Sequence, residues 1–342
     1  MFSEQDRIRI LEQSLSMAPV NVQLELTEAC NLTCSFCYNS RNPVESSKYE
    51  KIIEKLVQEG VMEIVLTGGE PMLHKDFLKI AKICAESFAR VQVQTNGTFL
   101  TDDVASYLNK YGIGNINISL HGCEQTHENL TGVKGSYQRA IDGIKAIMKT
   151  DISLCTNFVL TSQNIREFQE HVDRMYNMGV KLFSLTRFTP VGLGSSSRFL
   201  EVSIDELLEV LRYTNLRHSQ DKELNFLLAN SIPLCALPDD LRNHCNYCHF
   251  GSSRFYIDVH GNVLMCGMSR IKIGNILEAS LKEIKMNSDI YKCHVSGAKI
   301  SSPCAICRDF HLCRGGCRAA ALAATDDYFG RDPLCSRCMA CN

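Results

Sequence analysis

Cysteine placement constrains this chain more than any other feature of its sequence. Three of its 18 cysteines crowd into residues 30–37, and twelve lie between Cys235 and Cys341. The 197 positions separating these groups hold only Cys84, Cys123 and Cys155. Disulfide frameworks belong mainly to secreted chains, and they seldom cluster in this way. Neither end has a basic start followed by an apolar run, so no signal peptide is read, and no stretch is long enough to span a bilayer. The expectation is a cytoplasmic protein whose grouped thiols bind metal. Its 36 basic residues nearly cancel 38 acidic ones, which leaves no net field favouring nucleic acid or a membrane surface. With 342 residues, 45% of them hydrophobic, the chain can bury a large core and suggests roughly two domains.

From about residue 21 to 190, short apolar runs alternate with segments of helical spacing. The runs are Val22–Leu26, Glu63–Thr67, Val91–Thr95, Asn115–Leu120, Leu154–Leu160 and Leu182–Phe188. Helices are expected at Tyr49–Gly60, Phe77–Phe88, Val104–Tyr111, Tyr137–Met148 and Ile165–Met178. Six β-α units in series imply a parallel sheet with outer helices, because parallel strands need crossover connections. Six is too few for a closed eight-stranded barrel. An open partial (β/α)6 barrel is the reading adopted, with a doubly wound sheet as the alternative that spacing does not separate. The expected division is an N-terminal segment at 1–20, the barrel at 21–198, a helical bridge at 199–234 and a cysteine-rich domain at 235–342. The barrel ends in the small polar loop Gly192–Ser197, and the bridge contains a helix at Ser203–Arg217. In the last domain Phe255–Val259 and Val263–Met265 flank His260-Gly261-Asn262 as a β-hairpin. The remainder reads as loop-rich and dependent on metal for order.

The first cysteine group lies directly after the first strand: Leu26-Thr-Glu-Ala-Cys30-Asn-Leu-Thr-Cys34-Ser-Phe-Cys37-Tyr38. Its C-x3-C-x2-C spacing supplies three thiolates, where a complete [4Fe–4S] site uses four. One iron would then stay open, as catalytic metal sites require. The alternative is zinc completed by a distant residue, although zinc sites usually pair C-x2-C with a second such pair. This loop resembles the signature of the radical S-adenosylmethionine (SAM) superfamily, whose fold is a partial (β/α)6 barrel. Thr67-Gly68-Gly69-Glu70-Pro71 after the second strand is similar to that family's GGEP segment, which contacts the SAM amino group. The two glycines would let the backbone approach the ligand.

The resemblance implies a SAM-binding [4Fe–4S] cluster on Cys30, Cys34 and Cys37, reductive cleavage of SAM, and hydrogen abstraction by the 5′-deoxyadenosyl radical. It also implies SAM contacts from Tyr38, Gly68, Gly69, Glu70, Pro71, Asn96, Ser119, Lys134 and Arg187, and an electron donor of the flavodoxin or ferredoxin type. Asn96 and Ser119 are equally readable as turn formers. His121 reads as a surface turn residue, with a base as the alternative. Cys123 reads as structural, with hydrogen-atom donation as the alternative. Cys84 and Cys155 are expected to be buried small hydrophobes.

Downstream, Cys248 is followed by twelve residues, Gly261, four residues and Cys266. Then come Cys304-x2-Cys307-x5-Cys313-x3-Cys317 and, after seventeen residues, Cys335. This resembles the SPASM extension, whose members bind two auxiliary [4Fe–4S] clusters. By position, Cys245, Cys248, Cys266 and Cys317 would hold one cluster, and Cys304, Cys307, Cys313 and Cys335 the other. Cys338 and Cys341 are surplus to the pattern and could replace Cys335, serve a further metal or stay idle. Cys235 and Cys293 are read as non-ligands.

SPASM proteins mostly modify peptides or proteins, so oxidative modification of a ribosomally made peptide is the function expected. Formylglycine formation in sulfatases is one alternative, but those enzymes typically carry Asp after the cysteine of G-x4-C, where this chain has Gly267. Porphyrin side-chain decarboxylation in haem synthesis is another, suggested by Asp332-Pro-Leu-Cys335. An iron–sulfur electron carrier is the non-enzymatic alternative; the open three-cysteine site argues against it, since carriers saturate their irons. The short segment before the first strand suggests peptide recognition by the barrel mouth and SPASM domain or by a separate small protein.

Overall fold

Short runs rich in Val, Ile and Leu become strands here because parallel strands in an α/β sheet are buried along nearly their whole length. The structure, a computed structural model, describes residues 4–17, 19–244, 248–301 and 303–337. All six expected strands form: β1 (Asn21–Glu25), β2 (Glu63–Thr67), β3 (Arg90–Thr95), β4 (Asn115–Ser119), β5 (Ser153–Leu160) and β6 (Leu182–Arg187). Four more follow them: β7 (Asn225–Leu228), β8 (Arg254–Ile257), β9 (Asn262–Leu264) and β10 (Lys272–Asn275). They make one sheet in the order β10-β9-β8-β1-β2-β3-β4-β5-β6-β7. Every pair from β8 through β1 to β7 is parallel, whereas β8–β9 and β9–β10 are antiparallel. The sheet does not close, as expected of a partial barrel.

Twelve α-helices are assigned among the described residues. They are α1 (Glu4–Ser16), α2 (Tyr49–Gln58), α3 (Phe77–Ser87), α4 (Asp102–Lys110), α5 (Glu124–Thr131), α6 (Ser136–Ile147), α7 (Phe168–Asn177), α8 (Ile204–Gln220), α9 (Leu281–Asn287), α10 (Asp289–Ser296), α11 (Phe310–Cys313) and α12 (Arg318–Thr325). In α2 the residues Ile52, Ile53 and Leu56 are buried against the sheet, as their spacing requires. Cys84 in α3 and Cys155 in β5 are buried, as small apolar side chains would be. None of these helices is long and apolar enough to cross a membrane.

Three features depart from the sequence reading. The expected hairpin forms as β8 and β9, but β8 also pairs with β1, matching Val22 to Phe255 and Leu24 to Ile257. The cysteine-rich segment therefore extends the barrel sheet, and its consecutive buried residues Phe255, Tyr256 and Ile257 reflect cover on both faces. The stretch after α8 contributes β7 to the other edge, paired to β6, so the bridge is not purely helical. The N-terminal segment forms α1, whose last carbonyls are held by the C-terminal part of the chain. Lys285 Nζ donates to the carbonyls of Ser14 (2.8 Å) and Met17 (2.7 Å), and Tyr291 Oη donates to that of Ser14 (3.2 Å).

A buried ion pair joins the barrel to the C-terminal segment. Arg187, at the end of β6, donates from both terminal nitrogens to Asp332, at 3.1 and 3.0 Å. The side chains are 6% and 0% exposed. Asp332 also accepts from the backbone N–H groups of Cys317 (2.8 Å) and Leu334 (3.0 Å). Removing one partner of such a pair strands a buried charge. Arg187→Ala should lower stability by about 3–5 kcal/mol, read as a fall in the urea midpoint under anaerobic conditions. A loss below about 1 kcal/mol would show that the pair is not holding the two parts together.

Candidate radical site and auxiliary clusters

The loop leaving β1 is fixed by backbone pairing on three sides. Gly69 N–H donates to the Thr27 carbonyl (2.7 Å) and Glu70 N–H to that of Ala29 (2.8 Å). Thr33 and Ser35 N–H donate to Thr131 and Leu130 at the end of α5 (2.8 and 2.9 Å). Gly194 N–H caps the Cys37 carbonyl at 2.7 Å. A Cβ on Gly68 would collide with the Thr27 carbonyl oxygen, and one on Gly69 with that of Ala29. The glycines of this segment thus admit the cysteine loop itself, a neighbour that sequence alone did not suggest.

Cys37 lies close enough to Cys30 and Cys34, and Cys30 to Cys34, to raise their pKa electrostatically, secondary to burial. Burial pushes Cys30 up to about 11 and lifts Cys34 and Cys37 as well. The loop therefore holds thiols that iron must deprotonate on binding. Asn96 reaches Cys30 Sγ at 3.9 Å and Asn31 Oδ1 at 2.8 Å through Nδ2. Glu70 is fully buried, and accepts from Thr95 Oγ1 (2.8 Å), Asn96 N–H (2.8 Å) and Met72 N–H (3.2 Å). Burial raises its carboxyl to about 7 against those donors. Glu70 thus braces the ends of β2 and β3. Pro71 is buried at the start of the turn Pro71–Leu73, and Ser119 is half-buried at the end of β4.

The structure gives the other expected contacts the following surroundings. Tyr38 shares a hydrogen bond with Tyr256, and its hydroxyl is buried beside Glu25. Lys134 is exposed in the turn between α5 and α6. Arg187 is engaged by Asp332 through both terminal nitrogens. His121 is not a surface turn residue. It is 2% exposed, its Nδ1 accepts from Val159 N–H at 3.2 Å, and its ring packs edge-on to Phe36 at 4.8 Å. Burial keeps it neutral. Cys123 is half-buried at the N-cap of α5, its thiol 3.5 Å from Thr126 Oγ1.

The C-terminal thiols form two groups. Cys317 lies close enough to raise the pKa of Cys248, and Cys248 and Cys317 that of Cys266, secondary to burial, which takes Cys248 to about 11 and Cys266 to about 12. Cys245, expected with them, lies outside the described residues, as do Cys338 and Cys341. Cys304, Cys307, Cys313 and Cys335 form the other group. Between Cys313 and Cys317 three successive residues, Arg314, Gly315 and Gly316, take left-handed backbone (φ 51°, 82° and 79°). That reversal sends the two cysteines to different groups. Among the described residues no three His, Cys, Asp or Glu side chains gather as a single ion requires. Cysteine-only donor sets grouped in this way are what iron–sulfur clusters take.

Sequence reasoning missed the residues tying these parts together. Glu25, the last residue of β1, is buried and accepts from Asn39 Nδ2 (2.7 Å), Tyr256 Oη (3.1 Å) and both terminal nitrogens of Arg270 (3.2 and 3.1 Å). No local pattern marks these four, because Tyr256 and Arg270 lie far along the chain.

An open α/β barrel carrying a three-cysteine loop after β1 and a glycine-rich end on β2 is the architecture of radical SAM enzymes. The profile of the Radical SAM superfamily matches residues 24–175, and that of SPASM, an iron–sulfur cluster-binding domain, matches residues 248–318. The chain is a radical SAM enzyme with a C-terminal SPASM domain; such enzymes bind a [4Fe–4S] cluster with SAM in the first domain and auxiliary clusters in the second. It is 25% identical to the AdoMet-dependent heme synthase of Methanosarcina barkeri (strain Fusaro / DSM 804), over 94% of this chain and 97% of the relative. It is 28% identical to the sporulation killing factor maturation protein SkfB of Bacillus subtilis (strain 168), over 79% of this chain and 65% of that protein. It is also 28% identical to the mycofactocin maturase MftC of Mycolicibacterium smegmatis (strain ATCC 700084 / mc(2)155), over 93% and 83%. Streptococcus suis SuiB bound to its precursor peptide SuiA shares the fold, with a TM-score of 0.77 at 20% identity, covering 97% of this chain and 79% of SuiB.

Gly69→Ala should displace the Cys30 loop and lower SAM cleavage on the order of a hundredfold, measured as 5′-deoxyadenosine formed by the reduced protein. Replacing Cys30, Cys34 and Cys37 by alanine should abolish cleavage while leaving about eight irons bound downstream. Cleavage persisting in the triple variant would overturn the assignment of the loop.

Proposed function

We propose that this enzyme oxidatively modifies a ribosomally made peptide, forming a crosslink or a similar bond. The observation carrying the reading is the 28% identity to SkfB and MftC, both named as maturases. When bound, the open-iron cluster and SAM supply a 5′-deoxyadenosyl radical able to abstract a substrate hydrogen. In this reading Cys30, Cys34 and Cys37 hold the cluster, and Gly68–Pro71 with Asn96 fix the loop and line the SAM site. The two downstream thiol groups hold auxiliary clusters that engage substrate or pass electrons. A flavodoxin or ferredoxin-type protein supplies the reducing electron. The barrel mouth and SPASM domain, or a separate small protein, recognise the peptide.

Gly267 bears on the formylglycine alternative. A Cβ there would lie 2.7 Å from the Tyr256 ring, so the space an aspartate would use is filled. Haem-type decarboxylation is the second reading, favoured by the 25% identity to the M. barkeri enzyme along nearly the whole chain. The Asp332–Cys335 ending does not select it, because Asp332 serves the Arg187 pair.

Anaerobic incubation with dithionite and SAM should yield 5′-deoxyadenosine. Added precursor peptide should stimulate it and lose two hydrogens per bond formed, measured by mass spectrometry. Loss of carbon dioxide from a propionate-bearing porphyrin, with the peptide unchanged, would favour the second reading. No 5′-deoxyadenosine under any condition would leave only an electron carrier.

A further inference from the structure

Cys235 stands well upstream of the second group of C-terminal thiols in sequence, and its spacing gives no reason to assign it as a ligand. In the fold it joins that group. The turn Leu234–Ala236 packs against the turn Pro333–Arg337 that carries Cys335, with Leu234 and Ala236 buried on either side of Cys235. Cys235 and Cys304 both pack against Cys335, close enough to act on its thiol. Cys235, Cys304, Cys307 and Cys335 pack into one small cluster with Ile300, Ala305 and Phe310. Cys313 neighbours Cys304 and Cys307. The turn bearing Cys235 is held in place, since the Pro233 ring lies against Gly316, next to Cys317.

Five thiols thus meet where a [4Fe–4S] cluster takes four. Cys304, Cys307 and Cys313 come from one short stretch, 304–313, leaving Cys235 and Cys335 as touching candidates for the remaining position. We propose that Cys235 belongs to the second auxiliary site and shares one iron with Cys335, so that either thiolate completes the four-cysteine set. Exchange between them is redox-neutral: the incoming thiol gives its proton to the leaving thiolate, and the iron keeps four sulfur ligands. Cys335 adjoins Asp332, which holds Arg187 at the end of β6, and Cys235 lies in the turn after β7. The inference rests on the SPASM domain binding clusters and is independent of the substrate.

The test is metal content and spectroscopy of full-length protein in which Cys30, Cys34 and Cys37 are alanine, so that only auxiliary clusters remain. Cys338 and Cys341 are also alanine in every variant, so neither can stand in. Cys235→Ala and Cys335→Ala should each keep about eight irons and equal sulfide, with shifted low-temperature electron paramagnetic resonance of one reduced cluster. The double variant should fall to about four irons. Cys307→Ala, whose iron is not the one that Cys235 and Cys335 share in this proposal, serves as the control for loss. Serine in place of alanine at 235 and 335 repeats the comparison in case cavity formation impairs folding. Loss of the second cluster in either single variant, or its retention in the double, overturns the proposal.

Discussion

The carboxylate of Glu25 is the interaction on which the arrangement of this enzyme turns. It ends β1, five residues before Cys30, and is buried completely. Left alone there it would cost far more than it could return. Its donors come from two places: Asn39 from the cysteine loop, Tyr256 and Arg270 from the SPASM domain. Arg270 grips it through two nitrogens and reaches Glu28 on the loop with one of them (3.4 Å). Burial still leaves the Glu25 carboxyl raised above its ordinary range, with Arg270 the strongest opposing influence. One buried acid thereby sets the loop that presents Cys37 against the strand that leads toward Cys266. Tyr38 and Tyr256 fill the space between those two cysteines, sharing a hydrogen bond.

Around that anchor the radical site is built from backbone. Gly68 and Gly69 allow β2's end to lie against the residues just before Cys30, and Glu70 then binds the end of β3. Each such buried hydrogen bond contributes about 0.5–1.5 kcal/mol, and more when the acid is ionised. The loop is therefore held open over the strand ends without using the cysteine sulfurs as its main supports, which leaves the sulfurs to a cluster. Asn96 extends the same logic, because its amide ties Asn31 and reaches Cys30.

Much of this was legible in the sequence, and the boundary follows from range. Six strands and the helices between them could be read because hydrophobic spacing is local. The three-cysteine loop and Gly68–Gly69 could be read because close-spaced ligands and tight approaches leave local signatures. Pairing of β8 with β1 could not, since Phe255 and Val22 meet across most of the chain. Nor could the burial of His121, whose turn-like neighbours hide a ring packed on Phe36. Arg187 illustrates the same limit: a strand-end arginine looks available for a ligand until Asp332 returns from the far end of the chain. Cys235 was set aside on spacing and found among thiols, because a turn beyond β7 brings it back.

Electron paramagnetic resonance of the fully reduced protein, recorded with and without SAM, tests the central claim most directly. SAM should shift the signal of one cluster and leave the others unchanged, and that responsive signal should be missing when Cys30, Cys34 and Cys37 are replaced. A SAM response that survives their replacement, or no response from any cluster, would contradict the account.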